Sequence, residues 1–329
     1  MSEFTFSELN PDLILDAIES QQIYPESGLL ALNSYENRVY QFLADDKKRY
    51  VVKFYRPERW SREQIQEEHD FTLFLSSKDI PVVAPLQHGG RSLFEHQGYK
   101  FCLFPSVGGR MFELDNLDQL EWLGRLLGRF HKASGAQQFQ HRFTLKFEQE
   151  LTSAKQQLQQ SDFIPDYLKN TFFHDLDLLI ETTLEFSHQD YRVIRLHGDC
   201  HAGNLLWQSF DSYDDTIVVD LDDCINGPAI QDIWMMLNGD RQQQTLQLDT
   251  IISAYEEFRE FDHKEFQLIE PLRARRMINY MAWLAKRWND PAFPRNFSWF
   301  ATDKYWEQQV LAMKEQISAL QEPPLKLGY

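Results

Sequence analysis

The stretch RLHGDCHAGNLLW, Arg195 to Trp207, constrains this 329-residue chain more than any other. It sets two histidines, an aspartate, a cysteine and an asparagine in one turn between apolar runs. Further on, TIVVDLDD supplies a second apolar run, Ile217 to Val219, ending in Asp220. NLLW and TIVVD predict two strands that close on each other through QSFDSYDD and bring Asp220 back beside Asn204. The chain must therefore fold around a short β-hairpin whose base gathers Asp199, Asn204 and Asp220.

The segments before the hairpin read differently from those around it. NPDLILDAIES predicts a helix capped by Asn10, with Pro11 in its first turn. NRVYQFL, ADDKK and RYVVKFY read as strand, polar turn and strand. SREQIQEEHDFTLFLSS predicts a helix with a Ser61 cap and Ile65, His69 and Leu73 at helical spacing. YKFCLFPSVGG predicts a further strand ending at Pro105. After Gly109 the pattern turns helical: Leu120, Leu123, Leu127 and Phe130 share one face, Leu151 to His188 reads as helix, and so does nearly everything from Ala229 on. The expected class is α+β and bilobal. A small antiparallel-sheet N-lobe (residues 1–107) precedes a larger, mostly helical C-lobe (residues 108–329), with chain enough for two cores.

Composition removes several classes. A net charge of −17, from 33 Lys+Arg against 50 Asp+Glu, argues against a nucleic-acid-binding surface, which needs a cationic excess. It leaves room for a local basic pocket. Hydrophobic residues at 43% and aromatics at 14% argue for packed cores rather than disorder. No apolar run approaches the roughly 20 residues that span a bilayer. MSEFTFSELN lacks the basic start and apolar core of a signal peptide, and three cysteines are an odd, sparse set. The expectation is a cytoplasmic monomer with no membrane partner.

The hairpin motif carries chemistry. His197-x-Asp199-x-x-x-x-Asn204 has the spacing of a kinase catalytic loop. An aspartate there accepts the proton of an attacking hydroxyl, and an amide oxygen one turn on can hold Mg²⁺ against phosphates without adding a second charge beside the base. Asp220 supplies a second metal ligand, with Asp222 ranked below it, and oxygen ligands suit Mg²⁺. In the N-lobe, Lys53 sits on an alternating strand from which it could reach the phosphates of ATP, and Glu67 or Glu68 on the next helix could pair with it. NSYENRVY, from Asn33 to Tyr40, occupies the turn where phosphate-covering loops sit. A zinc set of His197, Cys200, His201 and Cys224 lacks the usual C-x-x-C or H-x-x-x-H spacing. A redox role for Cys200 or Cys224 requires thiolate character. Arg273, Arg275 and Arg276 in PLRARRMINY read either as a helix face paired with acidic neighbours or as a phosphate- or acid-binding patch on the substrate side.

These motifs resemble the aminoglycoside phosphotransferase and choline kinase branch of the protein-kinase-like fold, which uses H-G-D-x-x-x-x-N. The segment Glu68 to Pro81 follows that family's spacing, which favours Glu68 over Glu67. NSYENRVYQF, VVKFYRPERW, FPSVGGR, LHGDCHAGN, VDLDD, WMMLNGD and DPAFPRNF together resemble the bacterial stress response kinases within that branch. The resemblance implies a Ser/Thr protein kinase using ATP and Mg²⁺, acting on protein substrates or on itself. It implies Asp199 as catalytic base, Asp220 and Asn204 at the metal, and Ser34 at the ATP phosphates. By analogy Phe104 and Ser106 lie in the hinge where adenine would bind. NSYENRVY holds no glycine, so Ser34, Asn37 and backbone amides are expected to replace glycine-loop contacts. No D-F-G or A-P-E segment is present. A kinase of a small hydroxyl-bearing metabolite or aminoglycoside uses the same core residues, and a non-catalytic nucleotide binder would not need Asp199.

Overall fold

The computed structural model describes residues 5–188, 190–209 and 214–328; the tip of the expected hairpin, residues 210–213, lies outside them. Helix α1 (Pro11–Glu19) starts where Asn10 Oδ1 accepts the Leu13 N–H at 2.9 Å. Strands β1 (Leu30–Ala31), β2 (Arg38–Leu43) and β3 (Arg49–Phe54) follow. Helix α2 (Arg62–Ser76) carries a reciprocal capping box between Ser61 and Gln64. Strands β4 (Phe94–His96) and β5 (Tyr99–Pro105) complete an antiparallel five-stranded sheet in the order β1-β2-β3-β5-β4.

Strand alternation gives this sheet two faces. Val52, Phe54, Phe101 and Leu103 point at Leu13, Ile14, Ala17 and Ile18 of α1 and form one core. Lys53 and Cys102, paired in register, belong to the opposite face, toward α2 and the second lobe.

The second lobe begins with β6 (Arg110–Met111) and α3 (Leu117–Ser134), continues through α4 (Phe147–Gln159) and α5 (Asp166–Ser187), and then turns to strands β7 (Ile194–Leu196), β8 (Leu205–Ser209), β9 (Asp214–Val218) and β10 (Ile225–Gly227). Helices α6 (Arg241–Tyr255), α7 (Ile269–Arg287), α8 (Ala292–Asn296) and α9 (Asp303–Gln321) close the lobe. β8 and β9 form the expected hairpin, with Leu205 opposite Val218, and β7 pairs antiparallel with β10. Leu120, Leu123, Leu127 and Phe130 are buried in the lobe's core as their spacing predicted. Gly124 and Gly128 on α3 let α6 approach closely: a Cβ there would meet Ile251 O at 2.4 Å or Tyr255 O at 2.5 Å.

The lobes meet where α2 inserts Phe71 and Leu75 into the helical core. Just beyond α2, Val218 N donates to Pro81 O and Val83 N donates to Val218 O. Among the described residues no helix is long and apolar enough to cross a membrane.

Candidate active site

Lys53 is buried, and three carboxylates converge on it. Its Nζ lies 3.4 Å from Glu68 Oε1, 3.0 Å from Asp220 Oδ1 and 3.0 Å from Asp222 Oδ1. Burial opposes the charge, but Asp220, Asp222 and Glu68 outweigh it and hold the ammonium well above the ordinary lysine range. The two glutamates of α2 part company. Glu68 faces Lys53 and also accepts from buried Arg142 at 2.7 Å. Glu67 accepts the backbone N–H groups of Gln140, His141 and Arg142 at 2.6, 2.8 and 2.8 Å, and so fixes the loop that delivers Arg142.

The HGD turn is held from beneath. Asp232 is fully buried, and its two oxygens accept the N–H groups of His197 and Gly198, each at 2.8 Å. His131 Nε2 lies 3.1 Å from the same carboxylate; burial lowers its pKa and keeps the ring neutral, so this N–H donates. His197 is structural as expected: Asp199 N donates to its Nδ1, so Nε2 carries the proton and donates to Val219 O at 3.0 Å. Gly198 sits at φ +88°, and a Cβ there would meet Asp223 O at 2.1 Å, so no other residue fits this turn.

Asp199 emerges from this scaffold toward the cleft. Arg276 of α7 donates to its Oδ1, and His201 Nε2 lies 3.4 Å from Oδ2. Burial works against the carboxylate, but His201 and Arg276 prevail and hold its pKa well below the usual range. Asn204 Nδ2 donates to Asp199 O at 3.0 Å, which leaves the amide oxygen for another partner.

Asp220 takes a left-handed backbone, φ 59°, which among non-glycine residues Asp and Asn tolerate best. Its side chain is 52% exposed, whereas that of Asp222 is 4% exposed. Asp222 is also engaged by Arg59 Nη1 at 2.5 Å. Of the two, Asp220 has the carboxylate more open to solvent. A half-exposed carboxylate and an amide oxygen make a hard, all-oxygen pair that fits Mg²⁺ completed by phosphates and water.

The segment Asn33–Asn37, expected to cover phosphates, is held largely by its own side chains. Asn37 is buried and its Oδ1 accepts the Arg56 N–H at 3.1 Å, so its amide oxygen braces the end of β3. Ser34 is half-buried in the turn. Glu36 is the group that sequence reading missed here. It binds Arg287 at 2.6 Å, the Trp283 indole N–H at 2.6 Å and Arg56 at 2.9 Å. Asp290, just past α7, accepts Arg38 and Arg56, each at 2.8 Å. The loop is therefore tied across the cleft to the second lobe. Phe104 shares the Lys53 face of the sheet, and Ser106 Oγ accepts from Gln41 at 2.7 Å. Cys200 and Cys224 are buried, and burial pushes both thiols up, against thiolate character.

A sheet lobe and a helical lobe that together surround a lysine, its helix glutamate and an HGD loop make a recognisable set. The sequence pattern of the phosphotransferase enzyme family matches residues 29–269. The chain belongs to the phosphotransferase enzyme family. It is 53% identical over 326 residues to stress response kinase A of Escherichia coli O157:H7, covering 99% of this chain and 98% of that one. It is 51% identical to serine/threonine protein kinase RdoA of Salmonella typhimurium, covering 98% and 97%. Among solved structures, amicoumacin kinase hAmiN in complex with AMP-PNP, Ca²⁺ and Ami superposes with a TM-score of 0.73 at 17% identity, covering 96% and 95%. A microcompartment-associated aminopropanol kinase gives 0.72 at 19% identity, covering 96% and 99%. At such identities the likeness is one of fold, and it is the bilobal fold of this phosphotransferase family.

Proposed function

We propose that this phosphotransferase moves the γ-phosphoryl group of Mg-ATP to serine or threonine hydroxyls of proteins. The observation that carries the reading is the single ammonium of Lys53, which joins Glu68 of one lobe to Asp220 beside the hairpin of the other. Residues 1–107 act as the nucleotide-gripping lobe and residues 108–329 as the acceptor lobe. Lys53, oriented by Glu68, holds the phosphates, and the turn with Ser34 covers them. Asn204 and Asp220 hold Mg²⁺, which neutralises charge on the phosphates when bound. Asp199 accepts the hydroxyl proton as the acceptor oxygen bonds to phosphorus and the bridging oxygen leaves with ADP. Its depressed pKa suits a transfer in which the proton moves late and positioning dominates. The acceptor class follows the RdoA relative, whose name is that of a serine/threonine protein kinase.

The test is transfer from γ-labelled Mg-ATP to a generic basic protein and to the chain itself, with phosphoamino-acid identification. Asp199→Asn should retain ATP binding and lose roughly 10²–10⁴-fold in transfer. Near-normal turnover of that variant would refute the base assignment. Asp199-dependent ADP release only on adding a metabolite or aminoglycoside pool would replace the protein acceptor with a small molecule.

A further inference from the structure

The three arginines of PLRARRMINY separate in the structure. Arg273 donates to Glu270 at 3.2 Å and lies over the Trp234 ring, and Arg275 pairs with Glu150 at 2.5 Å. Both are held within the helical lobe. Arg276 alone reaches the cleft, where Asp199 is its hydrogen-bonded partner among the described residues. Its side chain is 43% exposed, so it meets Asp199 from the solvent side.

This contact places a cation where the acceptor hydroxyl must arrive. An acceptor hydroxyl must hydrogen-bond one oxygen of Asp199 to deliver its proton. Oδ2 faces His201, whose ring is fixed because Nδ1 accepts the Gly203 N–H at 3.0 Å. Oδ1 faces Arg276, a long exposed side chain with freedom to swing. A carboxylate oxygen can accept a second hydrogen bond, so the hydroxyl either shares Oδ1 with the guanidinium or swings it aside, and in both cases it arrives next to Arg276. The carboxylates described around it already have cations: Asp222 and Asp223 have Arg59, Asp220 has Lys53, Glu150 has Arg275 and Glu270 has Arg273.

Resting on the reading of Asp199 as base, we propose that Arg276 is a specificity-determining residue that exchanges Asp199 for an anionic group on the acceptor. The preferred acceptor is a serine or threonine hydroxyl with a carboxylate close beside it, as in an acidic peptide segment. Arg276 thus both keeps the base charged and oriented between turnovers and selects what reaches it. A guanidinium pairs bidentately with a carboxylate, which gives the choice geometric sharpness as well as attraction.

The experiment uses the full chain with Mg-ATP and three peptides identical except that the residues flanking one serine are glutamate, glutamine or lysine. Free serine and ethanolamine serve as the small-molecule arm, since they differ by one carboxylate. The wild type should favour the glutamate peptide over the glutamine peptide in kcat/KM. Arg276→Gln should collapse that ratio about tenfold or more, chiefly through KM, as expected for loss of a hydrogen bond between charged groups. Arg276→Lys should restore part of it, and Arg276→Glu should shift preference to the lysine peptide. If the Arg276-dependent preference appears for serine over ethanolamine and not for the peptides, the anion belongs to a small acceptor. Equal losses on all acceptors, with kcat falling and KM steady, would reduce Arg276 to a support for Asp199 and overturn the proposal, as would a wild type indifferent to flanking charge. Full turnover by Asp199→Asn would instead overturn the base assignment and the inference with it.

Discussion

At the scale of single residues, the HGD turn depends on one hydrogen atom. Gly198 combines a positive φ with Asp223 O just beneath the place a Cβ would occupy. Gly198→Ala must push either the HGD turn or the 221–223 turn aside, and the strained backbone alone should cost roughly 1–3 kcal/mol. Urea denaturation with a parallel turnover assay measures it; an unmoved midpoint would contradict the contact. The meeting of Asn204 with Asp199 and of Lys53 with Asp220 was legible in the sequence because each residue sits in a short motif of fixed spacing. Asp232, Arg142 and Glu36 were not. Asp232 and Arg142 bond chiefly to backbone or to residues distant in the chain, and Glu36 finds its partners on α7. Only the lone carboxylate in the apolar run AIQDIW hinted at Asp232. The inward bond of Asn37 was likewise hidden: a turn-forming side chain can face outward or toward the end of a strand, and the oxygen of this one takes the Arg56 N–H.

At the scale of elements, the helices were read correctly in kind but not always in extent. The helical stretch expected from Leu151 to His188 is two helices, α4 and α5, parted before Asp166 by Pro165, which cannot continue a helix from the residues before it. On α2 the buried face runs through Ile65, Glu68, His69, Phe71, Thr72 and Leu75, so Leu73 sits at its margin while a carboxylate occupies its centre. Hydrophobic spacing cannot foresee a buried glutamate whose partner comes from another strand. After Ala229 the chain makes two short 3₁₀ turns before α6 begins, and these turns carry Asp232. Glu265 braces them by accepting the Ile230 N–H at 2.9 Å. Burial pushes Glu265 up to about 7. Unfolded, a glutamate titrates near 4.3. Between those values the folded chain holds a proton that the unfolded chain has lost, so stability falls as pH rises through this window, by roughly 4 kcal/mol in total, and levels off above it. Glu265→Gln should abolish that slope. Denaturation midpoints at pH 5 and pH 8 should diverge in the wild type more than in the variant, and parallel behaviour would exclude the titration of Glu265 as its cause.

At the scale of the whole molecule, two lobes with separate cores are joined by ions as well as by apolar contact. Glu36 with Arg56, Arg287 and Trp283, and Asp290 with Arg38 and Arg56, fasten the Asn33–Asn37 turn to the end of α7. Asp290→Asn should ease the opening of that turn by about 1–2 kcal/mol, read as roughly tenfold faster amide exchange across residues 33–38 with little change in the sheet. Unchanged exchange there would mean that the apolar contacts, such as Tyr35 against Phe297, hold the loop by themselves. Bilobal architecture was legible from the shift in pattern near residue 109, whereas this fastening was not, because nothing in NSYENRVY announces which distant helix its glutamate will meet.

The same clusters shape how a nucleotide first arrives. Arg38, Arg56, Arg59, Arg142, Arg276 and Arg287 all turn toward carboxylates in or around the cleft, within a chain whose net charge is −17. An approaching polyphosphate feels the negative far field before it comes within reach of any guanidinium. Screening shortens that field to about 8 Å at physiological ionic strength. Association of Mg-ATP should therefore quicken as salt is raised from dilute buffer, the reverse of steered capture; stopped-flow association rates that fall with salt would contradict it.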